Sequence, residues 1–427
     1  MSWTFECEAR LGTSLVARRH RLSNGLCLVS VVDHSAPIVA YQSWFSVGSR
    51  HEQEGRTGMC HLFEHLMFNE TKSLPVGEFD RQIEAIGGDT NAATWVDWTF
   101  YRASIPKDAL GLIISLEATR MTELVLTPKV VEAEREVVIN ERLQCIHDDV
   151  DGFAGQELFR HAFETHGYRW PTIGWMDDIK ALSIPDMEQF YADYYAPNNL
   201  TLVVVGDFEE SELLASVEDK YGALVSSNVS PPDSAPEPPQ LGERCHSYKK
   251  PVNSARVLYG YKAPPQGHAD WPAISFACQL LSGSASAPLH RELVVHRELA
   301  SSISCEVMPF RDASLIELSA TATREHTLDE LQEAIDTELG ALADKPIPQS
   351  EVDKVANQVE TEFWGSLTTV DGKAESLGHY QCVHGDFRAL FSMAESLAAV
   401  TAEDVRRVLS TYFTESTRTV IRIEPEA

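Results

Sequence analysis

A chain of 427 residues, 43% hydrophobic and 23% charged, has the composition of a globular protein and is too long for one ordinary core, so two domains of roughly 200 residues each are expected. Its formal net charge of −29 repels phosphate backbones and anionic lipid, which argues against nucleic acid and membrane partners. No apolar run approaches the roughly 18 residues of a membrane helix, and the opening "MSWTFECEARLGTSLVARRHRL" has no basic start followed by an apolar stretch, so the cytoplasm is the expected compartment.

The first elements read as a hairpin. "HRLSNGLCLVSVVD" places Asn24-Gly25 before alternating apolar residues, and the strand "IVAYQSWFSVG" follows. Next comes a helix within "GMCHLFEHLMFNET", then a helix "VGEFDRQIEAIGG" stopped by Gly87-Gly88. "DTNAATWVDWTFYRASIP" is rich in β-branched and aromatic residues and reads as strand, with Trp95 and Trp98 expected in the core. Two helices follow, "DALGLIISLEATRMTELV" and "TPKVVEAEREVVINERLQ". In the second, Thr127 is the cap and Pro128 the first helical residue. "IPDMEQFYADYYA" and "ESELLASVEDKYG" read as helices on either side of the strand "NLTLVVVGDF".

"SSNVSPPDSAPEPPQLGER" is rich in Pro, Ser and acids and lacks apolar periodicity, so it reads as a linker. The expected organisation is an N-terminal domain over 1–225, a linker over 226–244 and a C-terminal domain over 245–427. The second half repeats the style with strands "SARVLYGYKA" and "SLIELSATAT" and helices "WPAISFACQLLSG" and "TLDELQEAIDTELGALA". Strands adjoining helices in mixed order give an α+β class. The eight cysteines are scattered singly, with no CxxC pair, and read as reduced, buried thiols.

His61 and His65 are four residues apart, so on a helix both imidazoles reach one ion. Glu64 lies near the same face, offset. Leu62, Phe63, Leu66, Met67 and Phe68 show that the helix also packs a core, and a purely structural role for the histidines is the bland alternative. The spacing H-x-x-E-H is the reversed zincin signature. Two histidines do not complete a catalytic zinc site, which takes three protein ligands and leaves one position open.

The chain resembles the pitrilysin, or mitochondrial-processing-peptidase-like, family of zinc peptidases (inverzincins), in its half-length bacterial class. The resemblance rests on "LSNGLCLVSVVD", "FSVGSRHE", "GMCHLFEHLMF", "GGDTNAATWVDWTFY", "EREVVINERL", "FYADYYAPNNLTLVVVGDF" and "GYKAP". It implies two homologous domains, each a mixed, mostly antiparallel sheet covered by helices, with the zinc motif in the first only. It implies one zinc ion per chain held by His61, His65 and Glu141, with Glu64 as general base toward a zinc-activated water. Glu134, two turns before Glu141 on its helix, is the implied supporting acid, and Asn91 and Ala92 are the implied docking point for a peptide added as an extra strand.

Active relatives also carry an arginine and a tyrosine seven residues apart in a segment like "LRxxxGLAYS". The matching stretch, "LVVHRELASS", has Val294 and Ser301 at those positions, and neither supplies the donor. The resemblance therefore implies a zinc-bearing subunit of a heterodimer, whose homologous partner brings the Arg/Tyr pair and helps enclose an unstructured peptide. Two competing readings stay open at this point: a structural subunit and a peptide-binding module with an idle site. The intact His61, Glu64, His65 and Glu141 argue against the first.

Overall fold

Strands β1 (Trp3–Leu11), β2 (Leu15–Leu22) and β3 (Cys27–Val32) form an antiparallel meander in a computed structural model that describes residues 3–12, 15–228 and 235–426. The β2–β3 turn falls at Asn24-Gly25. Gly25 adopts φ 91°, and a Cβ there would lie 2.8 Å from the Asn198 Cβ, so glycine is required on both counts. The sheet continues with β4 (Ile38–Phe45), β5 (Asp89–Thr94), β6 (Thr99–Pro106) and β7 (Leu200–Gly206). Its order is β1-β2-β3-β7-β4-β6-β5, antiparallel throughout except for the parallel β3/β7 pair. Every residue of β7 is buried, as a continuous apolar run in a central strand requires. β5 is an edge, bonded only to β6.

A second sheet holds β8 (Arg244–Lys250), β9 (Arg256–Ala263), β10 (Ala300–Val307), β11 (Ser314–Ala322) and β12 (Arg418–Pro425), in the order β10-β11-β9-β12-β8. Only β12/β8 is parallel. The class is α+β, as expected: two mixed, mostly antiparallel sheets, each with helices packed on it.

The chain divides into two compact units that interleave in sequence. One comprises Met1–Arg142, Trp170–Ser234 and Trp364–Ser392; the other comprises Leu143–Arg169, Ala235–Phe363 and Met393–Ala427. The contiguous boundaries 1–225 and 245–427 therefore do not describe the packing. Helix Val150–Ala162 lies early in the sequence, yet its Ala154 and Leu158 pack with Leu258, Ile421 and Ile423 in the second unit. Helix Val370–His384 belongs to the first unit. Its Gly378 lies so close to Trp44 that a Cβ would sit 2.2 Å from the indole, and its Asp371 accepts a hydrogen bond from Ser104 Oγ at 2.6 Å. Such exchanges are long-range packing choices with no local signal. Residues 229–234 of the expected linker lie outside the described residues.

Three further expectations change. "DTNAATWVDWTFYRASIP" is two strands, β5 and β6, joined by a tight turn at 95–98. Trp98 packs against Trp44 and Phe100 as expected, but Trp95 is 39% exposed in that turn. All eight cysteines are free, but Cys145 and Cys245 are exposed rather than buried, one in a short segment between helices and one on the edge strand β8. No described helix is long and apolar enough to cross a membrane.

Candidate metal centre

The motif helix spans Met59–Leu66. It starts at Gly58, which adopts φ 88° against the 173–174 backbone, where a Cβ would lie 2.7 Å from the Ile173 carbonyl oxygen. The buried Glu52 carboxylate accepts hydrogen bonds from the Gly58 and Cys60 amides at 2.8 and 2.7 Å, so the first turn is capped from outside the helix. Leu62, Phe63 and Leu66 face the core, where Phe63 stacks on Phe190 and Tyr191. His61, Glu64 and His65 occupy the half-buried face.

Helix Pro128–Arg142 runs beside it, with the Thr127 hydroxyl accepting from the Val130 amide as a cap should. A bridge between Thr71 and Leu124, together with the Val125 amide donating to the Glu70 carbonyl, ties the segments flanking the two helices. That junction fixes the register in which Glu134 and Glu141 meet the histidines.

His61, His65 and Glu141 converge: one donor atom from each lies within 4.8 Å of the other two. His61 Nε2 is 3.7 Å from Glu141 Oε1, His65 Nε2 is 3.3 Å from Glu141 Oε2, and the two rings are 5.0 Å apart. On its far side, His65 Nδ1 is 3.6 Å from Glu134 Oε2. Glu134 Oε1 in turn accepts from Asn69 Nδ2 at 2.8 Å. Glu64 Oε2 accepts from the Thr94 hydroxyl at 2.6 Å. Glu136 and Asn140, on the same helix, are exposed.

The electrostatics fit a cation. Burial pushes the His61 pKa down to about 4 against the pull of Glu141, which leaves a neutral imidazole with a free lone pair. Burial also opposes charging His65, but Glu134 and Glu141 outweigh it and raise its pKa to about 9. Contact with His65 holds Glu134 and Glu141 below the usual carboxylate range. Burial raises Glu64 above its usual value despite the Thr94 hydrogen bond. Glu141 Oε2 is buried and, although His65 Nε2 lies 3.3 Å away, makes no well-aligned hydrogen bond among the described residues. Two imidazoles and a carboxylate converging around such an atom are a donor set suited to zinc with an open fourth position.

Asn91 and Ala92 lie on the edge strand β5, opposite Arg102 and Tyr101 of β6. Asn91 is exposed, and its Oδ1 accepts the Ala92 amide at 2.9 Å. Val294 packs against the apolar core of the second unit, and Ser301 Oγ donates to the Thr321 carbonyl at 3.3 Å.

Three residues around the site escaped the sequence reading. Asn69 follows His65 by one helical turn, a spacing that could have flagged it. Thr94 closes the strand that carries Asn91. Glu52 gives no local signal, because its partners lie across a loop.

The insulinase (peptidase family M16) model matches residues 28–173, and a model described as the peptidase M16 inactive domain matches 181–359. The chain is 30% identical to a zinc protease, PqqE, of Helicobacter pylori over 95% of its own length and 92% of that protein's. It is 23% identical to the mitochondrial-processing peptidase subunit beta of Blastocladiella emersonii, covering 95% and 88% of the two chains. A crystal structure of a protease from Helicobacter pylori superposes with a TM-score of 0.92 at 30% identity, covering 96% of this chain and 99% of that one. The periplasmic protease PqqL of Escherichia coli superposes at 0.80 with 19% identity, and this chain covers 48% of it, a likeness of fold. With the motif, the fold and full-length similarity in agreement, the chain belongs to the M16 (pitrilysin or insulinase) peptidase family.

Proposed function

We propose that this chain is the zinc-bearing subunit of an endopeptidase that cleaves unstructured peptides. The observation that carries the reading is the convergence of His61, His65 and Glu141 with Glu64 alongside. A zinc ion held by those three residues would polarise the scissile carbonyl and activate a water. The protein's own groups do the rest. Glu64, fixed by Thr94 and raised in pKa by burial, takes the attacking water's proton and returns it to the leaving amine. Glu134 keeps His65 oriented through its Nδ1 side.

The edge strand β5 is the docking rail. A substrate carbonyl would replace Asn91 Oδ1 on the Ala92 amide, and main-chain pairing of this kind binds peptides with little demand on sequence. The absence of a suitable donor at Val294 and Ser301 supports a division of labour: a second, homologous chain supplies an Arg/Tyr pair to stabilise the developing oxyanion, and the two subunits together enclose the peptide.

The test is Glu64→Gln. It should keep zinc and fold but lose at least about 10²-fold in turnover. Near-normal turnover would remove Glu64 as the base. The division of labour is tested by assaying the purified chain alone and mixed with a homologous subunit. Full activity from this chain alone would refute it.

A further inference from the structure

We infer that Asn69 is a positioning residue for the metal centre, one that acts through Glu134 on His65; the inference rests on the zinc-site reading above. The two histidines are supported unequally. His61 Nδ1 is buried with no hydrogen-bond partner among the described residues. His65 Nδ1 faces Glu134 at 3.6 Å, and Glu134 is itself anchored, because its other oxygen accepts from Asn69 Nδ2 at 2.8 Å. A carboxylate reaching from another helix has rotamer freedom that the 3.6 Å contact alone does not remove; the amide removes it.

Asn69 can do this because its backbone is fixed. It lies one turn beyond His65 on the same segment, and its own amide donates to the Leu66 carbonyl at 3.0 Å. Immediately downstream, the Thr71–Leu124 bridge and the bond from the Val125 amide to the Glu70 carbonyl tie this segment to the approach of helix Pro128–Arg142. The amide and the carboxylate are therefore presented to each other by segments joined at one point. The closed circuit of His65, Glu134 and Asn69 holds the His65 ring with Nε2 toward Glu141 and His61. His65 is the ligand prepared in advance, whereas His61 has no such support at its Nδ1.

Groups that touch a ligand's far side typically change metal affinity by about 10–100-fold, and a group one contact further out should sit at the lower end. The experiment measures zinc affinity by competition with a chromophoric chelator, and the visible spectrum of the cobalt-substituted protein, in the full chain. Asn69→Ala should weaken zinc by about tenfold and shift the cobalt bands. Asn69→Asp preserves size but sets a like charge against Glu134, so it should weaken zinc further, and it serves if the alanine variant folds poorly. In a Glu134→Ala background, Asn69→Ala should cost nothing more, which a merely structural role would not produce. Zinc affinity within twofold of wild type in both variants, or an equal loss with and without Glu134, would overturn the inference. Zinc affinities that move as expected in a chain that stays without peptidase activity even when mixed with a homologous subunit would leave Asn69 in place and refute the proposed function. A wild-type chain that takes up no zinc would overturn both.

Discussion

Thr94→Val removes one hydroxyl and little else. The hydroxyl donates to Glu64 Oε2 at 2.6 Å in a half-buried setting, and valine fills nearly the same volume. A hydrogen bond to an ionised group contributes about 1.5–3 kcal/mol, and at the lower end the loss amounts to about tenfold in rate if the bond serves to aim the base. The variant should therefore lose about tenfold in kcat, with KM nearly unchanged and zinc content intact, because Thr94 touches none of the three convergent donors. Thr94→Ser keeps the donor and should stay within about threefold of wild type, the small residue reflecting a looser rotamer. Steady-state hydrolysis of a fluorogenic, unstructured peptide by the chain mixed with a homologous subunit, with metal content measured on the chain itself, reads all three quantities. Turnover of Thr94→Val within twofold of wild type, or a serine variant as poor as the valine one, would refute the assignment of Thr94 to the base.

Two predictions concern the frame that holds the site. Arg120 is 2% exposed, paired with the buried Glu117 and packed over the Tyr101 ring at 4.4 Å, so Arg120→Met leaves a carboxylate in the core and should cost at least about 3 kcal/mol in urea unfolding, whereas the paired change with Glu117→Gln should recover most of it. Burial alone would raise Asp33, but hydrogen bonds from Lys373 and Ser35 hold it at about 2, below the ordinary 3.8, so its contribution, about 1 kcal/mol once solvent screening is allowed for, is present above about pH 4 and lost as pH falls from there toward 2. Lys373→Met should flatten acid unfolding over that window, and an unchanged profile would show that this anchor of helix Val370–His384 carries no stability.

Much of the fold was legible where a local rule decides the outcome. Asn24-Gly25 can close a two-strand turn, Thr127-Pro128 can start a helix, and His61 and His65 share a face by helical spacing alone. The segment 89–106 misled because its β-branched and aromatic residues run through the turn. No glycine or proline marks residues 95–98. The turn is made by the Trp95 amide bonding the Trp98 carbonyl, by Ser49 and Arg50 bonding the Trp95 and Val96 carbonyls, and by the buried Arg50–Asp97 pair. Part of that support comes from residues more than forty positions away, and Trp95 is left facing solvent. The domain boundaries misled for a related reason. The choice of sheet by helices Val150–Ala162 and Val370–His384 depends on Leu158 meeting Gly260 and on Gly378 admitting Trp44, complementarity that no window of sequence contains. Around the site the same limit applies. The residues that converge on one point belong to a motif, whereas Thr94 and Asn69 act through single hydrogen bonds across tertiary contacts and Glu52 through two, to amides across a loop.

Metal content of the purified wild-type chain, set beside His61→Ala, His65→Ala and Glu141→Ala, tests the central claim most directly. The geometry predicts one zinc per chain in the wild type, lost in each variant while the far-ultraviolet circular dichroism stays native, because all three side chains lie on the half-buried face rather than in the core. Stoichiometric zinc surviving in the three variants, or a wild-type chain that binds none, would contradict it.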